Sequence, residues 1–158
     1  ERRNCFFMNG REVFKHAVRG MCESSEQAIA EAGLTKGDIQ LVVPHQANVR
    51  IIESLAKRLG LPIEKVFVNI DRYGNTSAAS VPIALYEAVE QGFLHAGDNV
   101  LLTAFGGGLS WASAVVRWGV CYQACLVTLK RRGAEMQRYK KQNKGNRAIF
   151  VHLCSSVV

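Results

Sequence analysis

Only five cysteines, at positions 5, 22, 121, 125 and 154, occur in this 158-residue chain, and they lack any arrangement that would give them a joint task. Their number is odd, no two stand as CxxC, and no Cys/His cluster has zinc-ligand spacing. This favours neither a disulfide framework nor a metal site. A reducing cytoplasm is the expected compartment. The opening ERRNCFFMNG has basic residues but an apolar run too short for the hydrophobic region of a signal peptide. Residues 99–129 are poor in charge, yet three consecutive glycines and Arg117 interrupt them, which argues against a membrane span. Net charge is also missing from most of the chain. Residues 1–119 carry 12 Lys/Arg and 12 Asp/Glu, so the whole excess of +7 falls in 120–158, with 8 basic side chains against 1 acidic. That distribution argues against nucleic-acid binding by the first 119 residues. The basic run KRRGAEMQRYKK has no interleaved aromatic recognition motif and reads as solvated.

The break in composition near Gly119 divides the chain into 1–119 and an unassigned basic tail, 120–158. An apolar fraction of 48% suffices for a sizeable core, and no internal repeat or low-complexity segment interrupts residues 1–119. Apolar residues at 13, 14, 17, 18, 21, 28, 29 and 32, followed by Gly33, predict an amphipathic helix over 12–32 with a glycine C-cap. A turn at 35–38, a buried strand at 40–43 and a helix over 48–59 closed by Gly60 follow. A second strand is expected at 66–69 and a helix at 76–91, which tolerates Pro82 only through a kink or an irregular first turn. Strands at 99–104 and 109–117 flank the glycine run as an antiparallel pair. Helices alternating with strands predict a layered α/β domain with a mixed sheet.

Three motifs carry chemistry. In PHQAN, at 44–48, His45 stands where an apolar strand ends and a helix begins, a place where side chains project into clefts at the carboxyl edge of a sheet. In GNTSAAS, at 74–80, Asn75 stands at a second such junction, in a context where asparagine commonly caps a helix. Two hydrogen-bond donors delivered by the starts of two helices can converge on one carbonyl oxygen. An imidazole near a helix N-terminus stays neutral, so it donates without taking a proton. AFGGG, at 104–108, reads either as a tight hairpin or as a backbone that presents N–H groups to a developing oxyanion.

Taken with MNGREVF at 8–14, these motifs make residues from about Met8 to Trp118 resemble the carboxyl-terminal half of the β-ketoacyl-acyl-carrier-protein synthase III family. The resemblance implies a thiolase-like α/β fold and a decarboxylative condensation that starts fatty acid synthesis. A cysteine takes an acyl group from acyl-coenzyme A, and the enolate of malonyl-acyl-carrier protein attacks that thioester. By the same resemblance His45 and Asn75 form the decarboxylation site and Gly107 is a backbone oxyanion donor. Met8, Gly10, Phe14 and Phe105 line the acyl and pantetheine channel, and Arg50 contacts the carrier protein. No resident cofactor is implied, since the phosphopantetheine arrives on the substrates. The implied partners are acyl carrier protein, a coenzyme A thioester, the amino-terminal half and a second copy in a homodimer, with no nucleic acid and no membrane.

The nucleophilic cysteine of that family lies near the start of a buried helix in the other half, and none of the five cysteines here has that context. The chain is therefore expected to be inactive alone. Two other readings stay open: a related polyketide- or quinolone-type acyltransferase of the same fold, and a non-catalytic half that only binds carrier protein or a partner subunit. The tail after Trp118 falls outside the resemblance and holds no single period. It reads as a lineage-specific extension or, by preference, as non-native sequence from truncation or read-through, with a β-prone end in AIFVHLCSSVV.

Overall fold

The computed structural model describes residues 8–119 and the backbone of 151–157. Helix α1, Gly10–Glu31, begins where the Asn9 side chain accepts the Glu12 N–H. It ends in a Schellman turn. Gly33, at φ 70°, lets its N–H reach Ala30 O and the Leu34 N–H reach Ile29 O. The glycine stop expected at this point is therefore present. The same closure, with Gly60 at φ 71°, ends α2, Val49–Leu59, which starts at the Asn48 cap.

Strands β1 (Leu41–Pro44), β2 (Asn99–Gly106), β3 (Ser110–Arg117) and β4 (Val151–Val157) form one sheet in the order β1-β2-β3-β4. The first pair is parallel and the others antiparallel, so the sheet is mixed. Side chains alternate across it. Val42, Leu101 and Val115 form one cross-strand row under α1 and α2, with Met21, Ile29, Ile52, Leu55 and Leu59. Leu41, Val43 and Val100 face the other way, onto Ala84 and Ala88 of α4, Ser80–Glu90. The result is three layers, helix on sheet on helix. Tyr86 on α4 and Phe93 just beyond it are 66% and 52% exposed.

Two elements depart from expectation. Residues 66–69 are not a strand: only Val66 bridges Val42, and the Phe67 N–H reaches Val42 O. Beyond that point the Gln46 carboxamide takes the place of a neighbouring strand, for reasons given below. The helix expected over 76–91 starts late, with a 3-10 turn at Ser77–Ala79 before α4. Pro82 is the third residue of α4, where a backbone N–H has no intrahelical partner to lose, so the irregular first turn accommodates it. A short helix α3, Ile70–Tyr73, was not anticipated. Of the tail, residues 120–150 lie outside the described residues, and the β-prone end supplies β4.

Helix α1 crosses β3 closely at one glycine. A Cβ on Gly20 would stand 2.5 Å from Trp111 Cδ2, a central atom of a ring itself stacked on Phe105 with centroids 6.4 Å apart. Gly20→Ala gains up to about 1 kcal/mol of helix propensity but incurs about 1–3 kcal/mol of overpacking. A net loss of about 1 to 2 kcal/mol is expected in urea unfolding, and an unchanged or raised midpoint would contradict this packing. Nearby, buried Ser24, Ser25, Ser113 and Thr103 share hydroxyl hydrogen bonds of 2.7–3.2 Å between α1 and the sheet.

Candidate active site

The site lies at the carboxyl ends of the parallel strands β1 and β2. Pro44 pairs with Thr103, and the His45 N–H continues that ladder to Thr103 O at 2.8 Å. Four residues beyond Thr103 comes Gly107, in the three-residue connection between Gly106 and Ser110. Gly108 and Leu109 there have φ of 73° and 54°, the backbone of a tight hairpin. Gly107 itself needs no such freedom, and a Cβ at that position would meet open space, so no packing within the described residues requires glycine there. The hairpin and the open backbone thus coexist in AFGGG.

His45 is partly buried, and its Nδ1 is hydrogen-bonded to Ser80 Oγ at the start of α4 at 2.5 Å. Burial holds its pKa below the ordinary histidine value, so the imidazole is neutral near pH 7. Asn75 lies five residues before Ser80, following Gly74 at φ 65°. Its Oδ1 accepts the Ser77 N–H at 2.9 Å, which turns the chain sharply and puts Ser77 at φ 54°. Among the described residues neither His45 Nε2 nor Asn75 Nδ2 has a hydrogen-bond partner. Each side chain is tied back by one polar atom, His45 by Nδ1 and Asn75 by Oδ1, which leaves Nε2 and Nδ2 available as donors.

A second set of residues, not singled out from the sequence, frames these two. Gln46, 1% exposed, donates from Nε2 to Pro44 O and Phe67 O at 2.9 and 3.1 Å and accepts the Asn69 N–H on Oε1 at 3.0 Å. One side chain thereby replaces a strand partner for residues 67–69 and joins the His45 loop to the segment leading to Asn75. From there Asn69 Nδ2, Arg72 Nη2 and Tyr73 OH donate to the Glu87 carboxylate of α4 at 2.7, 2.9 and 2.8 Å. The hydrogen bond from Asn69 comes first among the causes that lower the Glu87 pKa, and the same carboxylate raises that of Tyr73. Since His45 is bonded to the other end of α4, the loops are clamped in a closed circuit. The one available sequence signal was an acidic residue between Ala84 and Ala88 on the buried face of a helix.

Both His45 and Glu87 have folded-state pKa values below their unfolded ones, so the native state releases these protons more readily and stability rises with pH. Their contributions are present above the unfolded values, about 6.5 and 4.3, and are lost as pH falls through the lower folded values. Denaturant midpoints should therefore fall on acidification. The acid portion of the slope should flatten in Glu87→Gln, and an identical slope would contradict the clamp.

The remaining candidates are spread more widely. Arg50 is exposed in the first turn of α2 and forms no ion pair among the described residues, so a pairing with Glu53 is not made. Met8, 67% exposed, and Gly10 stand at the start of α1, with Phe14 partly buried one turn on. No hydrogen bond among the described residues joins them to His45 or Asn75. Phe105 lies on β2 between Thr103 and Gly107, stacked on Trp111. Cys22 is buried, and burial raises its pKa, which keeps it a thiol rather than a nucleophilic thiolate. Cys5, Cys121, Cys125 and the side chain of Cys154 lie outside the described residues. Among the described residues no three His, Cys, Asp or Glu side chains gather as metal ligands, and no helix is long and apolar enough to cross a membrane.

Comparison with known proteins bears on this geometry. Residues 29–118 match the family described as 3-oxoacyl-[acyl-carrier-protein] synthase III C terminal. This chain belongs to the β-ketoacyl-acyl-carrier-protein synthase III family. A synthase III of Roseiflexus sp. (strain RS-1) is 71% identical over 116 residues, which are 73% of this chain and 35% of that protein. The crystal structure of the Thermus thermophilus synthase III is 61% identical, with a TM-score of 0.72, over 74% of this chain and 36% of the other. The priming β-ketosynthase of the R1128 polyketide pathway follows at 43% identity and a TM-score of 0.66, over 72% of this chain and 34% of the other. The thiolase-like α/β fold expected for a synthase III chain is thus shared with solved members. The chain spans about a third of these relatives' length, less than the half expected.

Proposed function

We propose that this chain supplies the decarboxylation site of a β-ketoacyl-acyl-carrier-protein synthase III. The observation that carries the reading is the pair of tied-back side chains, His45 through Nδ1 and Asn75 through Oδ1, whose remaining nitrogens have no hydrogen-bond partner among the described residues. In the reaction, the malonyl thioester carbonyl accepts hydrogen bonds from His45 Nε2–H and Asn75 Nδ2–H. The bond to the carboxylate breaks, carbon dioxide leaves, and the electron pair passes into an enolate whose oxygen those two donors stabilise. The enolate carbon then attacks an acyl thioester on a cysteine outside this chain. The tetrahedral oxyanion forms against backbone N–H groups that include Gly107, and collapse expels the thiolate and gives the β-ketoacyl thioester. A neutral imidazole suits this task, because it donates a hydrogen bond to the enolate oxygen without giving up its proton to it.

Met8, Gly10, Phe14 and Phe105 are proposed to line the acyl and pantetheine channel, and exposed Arg50, which forms no ion pair among the described residues, to contact the carrier protein. The acyl group comes from acyl-coenzyme A, and no resident cofactor takes part. The nucleophile resides on an amino-terminal portion of the same fold, with pairing of two copies as the wider assembly, in a reducing cytoplasm that keeps Cys22 a free thiol. The test is reconstitution: the chain is combined with an amino-terminal portion that carries the nucleophilic cysteine, and acyl-coenzyme A and malonyl-acyl-carrier protein are supplied. β-Ketoacyl product in the mixture and none from the chain alone is expected. Association without product, with carrier protein still retained, would replace this reading by that of a binding module.

A further inference from the structure

We infer that Ser80 is a positioning residue that fixes the tautomer of His45, donating its hydroxyl hydrogen to Nδ1 so that the ring's own proton resides on Nε2. The argument is one of hydrogen-bond accounting. Ser80 is 2% exposed, and its Oγ already accepts the Gln46 N–H at 3.3 Å. Among the described residues the one other group bonded to that oxygen is His45 Nδ1. If Nδ1 carried the proton, Oγ would accept twice and its own buried O–H would have no acceptor, an arrangement folded proteins avoid. With the proton on Nε2 the Nδ1, the Ser80 hydroxyl and the Gln46 N–H are all satisfied, and Nε2–H remains as a donor without a partner among the described residues.

The device also couples the two donors. Ser80 closes the seven-residue segment that begins at Gly74 and contains Asn75, so the hydroxyl that sets the imidazole belongs to the turn that presents the carboxamide. The Gln46 N–H contact anchors Oγ from the His45 side. Loss of the hydroxyl leaves the ring free to rotate or to change tautomer, and it removes the acceptor for a buried backbone N–H.

The kinetic consequence rests on the proposed decarboxylation; the tautomer does not. The test is a two-bond proton–nitrogen NMR correlation of the histidine rings in the 15N-labelled chain above the pH of His45 titration, for the wild type, Ser80→Ala and Ser80→Thr. The wild type is expected to show a single Nε2–H tautomer at His45, retained in Ser80→Thr and replaced by a mixture in Ser80→Ala. In the reconstituted mixture Ser80→Ala should lower kcat for carbon dioxide release about 10- to 100-fold, by analogy with removal of the partner that orients a metal-ligating histidine, with KM little changed. Ser80→Thr should restore most of it. A wild-type ring protonated on Nδ1 would overturn the inference whether or not any variant folds, as would a Ser80→Ala variant with an unaltered tautomer. A single Nε2–H tautomer in a mixture that releases no carbon dioxide would support the role of Ser80 and sink the decarboxylation reading instead.

Discussion

Alanine in place of His45 or Asn75 is expected to lower carbon dioxide release from malonyl-acyl-carrier protein by about 10²–10³-fold each, the usual loss when one donor to a developing oxyanion is removed. The two donors act on one oxygen, so the double variant should lose far less than the product of the single effects. Acyl transfer from coenzyme A to the cysteine of the amino-terminal portion should survive in both variants, because that step needs no enolate. Equal loss of both steps would contradict the assigned roles. Wild-type decarboxylation should also fall as pH drops through the lowered His45 pKa. The imidazolium carries a proton on Nδ1, so Ser80 can no longer donate to that nitrogen.

The largest effect on stability is expected at Leu101. This side chain is fully buried in the middle of the sheet, paired with Val42 on one side and Val115 on the other, beneath both α1 and α2. Leu101→Ala removes three carbons where two helices and two strands hold the walls apart, so the site cannot collapse to fill the space. A loss of about 2–5 kcal/mol follows, a large share of the stability of an ordinary domain. Thr103, whose carbonyl fixes His45, is two residues further along β2, so the loss should also weaken the site. Denaturant titration of the variant checks this, and a loss below about 1 kcal/mol would mean that the row is not the core of the sheet.

What could be read in the sequence was what lies within a few residues along the chain. The apolar spacing of 13–32 and its closing Gly33 predict α1, and the alternation around AFGGG predicts the antiparallel β2–β3 pair, because those periods are local. Of the two strand-to-helix junctions expected, that of His45 is present, whereas Asn75 follows the short helix α3 and precedes the 3-10 turn that leads into α4. Residues 67–69 misled because an apolar run resembles a strand whether its partner is a backbone or the single side chain of Gln46. The clamp was invisible for a related reason. Its bonds join residues 35, 23 and 18 positions apart, from His45 to Ser80, from Gln46 to Asn69 and from Asn69 to Glu87, and no periodicity reports contacts at such distances. Asn75 read as a helix cap for a similar reason. Its side chain accepts a backbone N–H two residues on, as a cap would, but within an Asx turn preceding the helix rather than at its first residue.

The most direct test of the account is carbon dioxide release from malonyl-acyl-carrier protein, measured with this chain alone, with the amino-terminal portion alone and with the two together. The account predicts release well above background only in the mixture, lowered there about 10²–10³-fold by His45→Ala and by Asn75→Ala. Release that stays near the wild-type rate in those variants, or that the amino-terminal portion produces unaided, would contradict it.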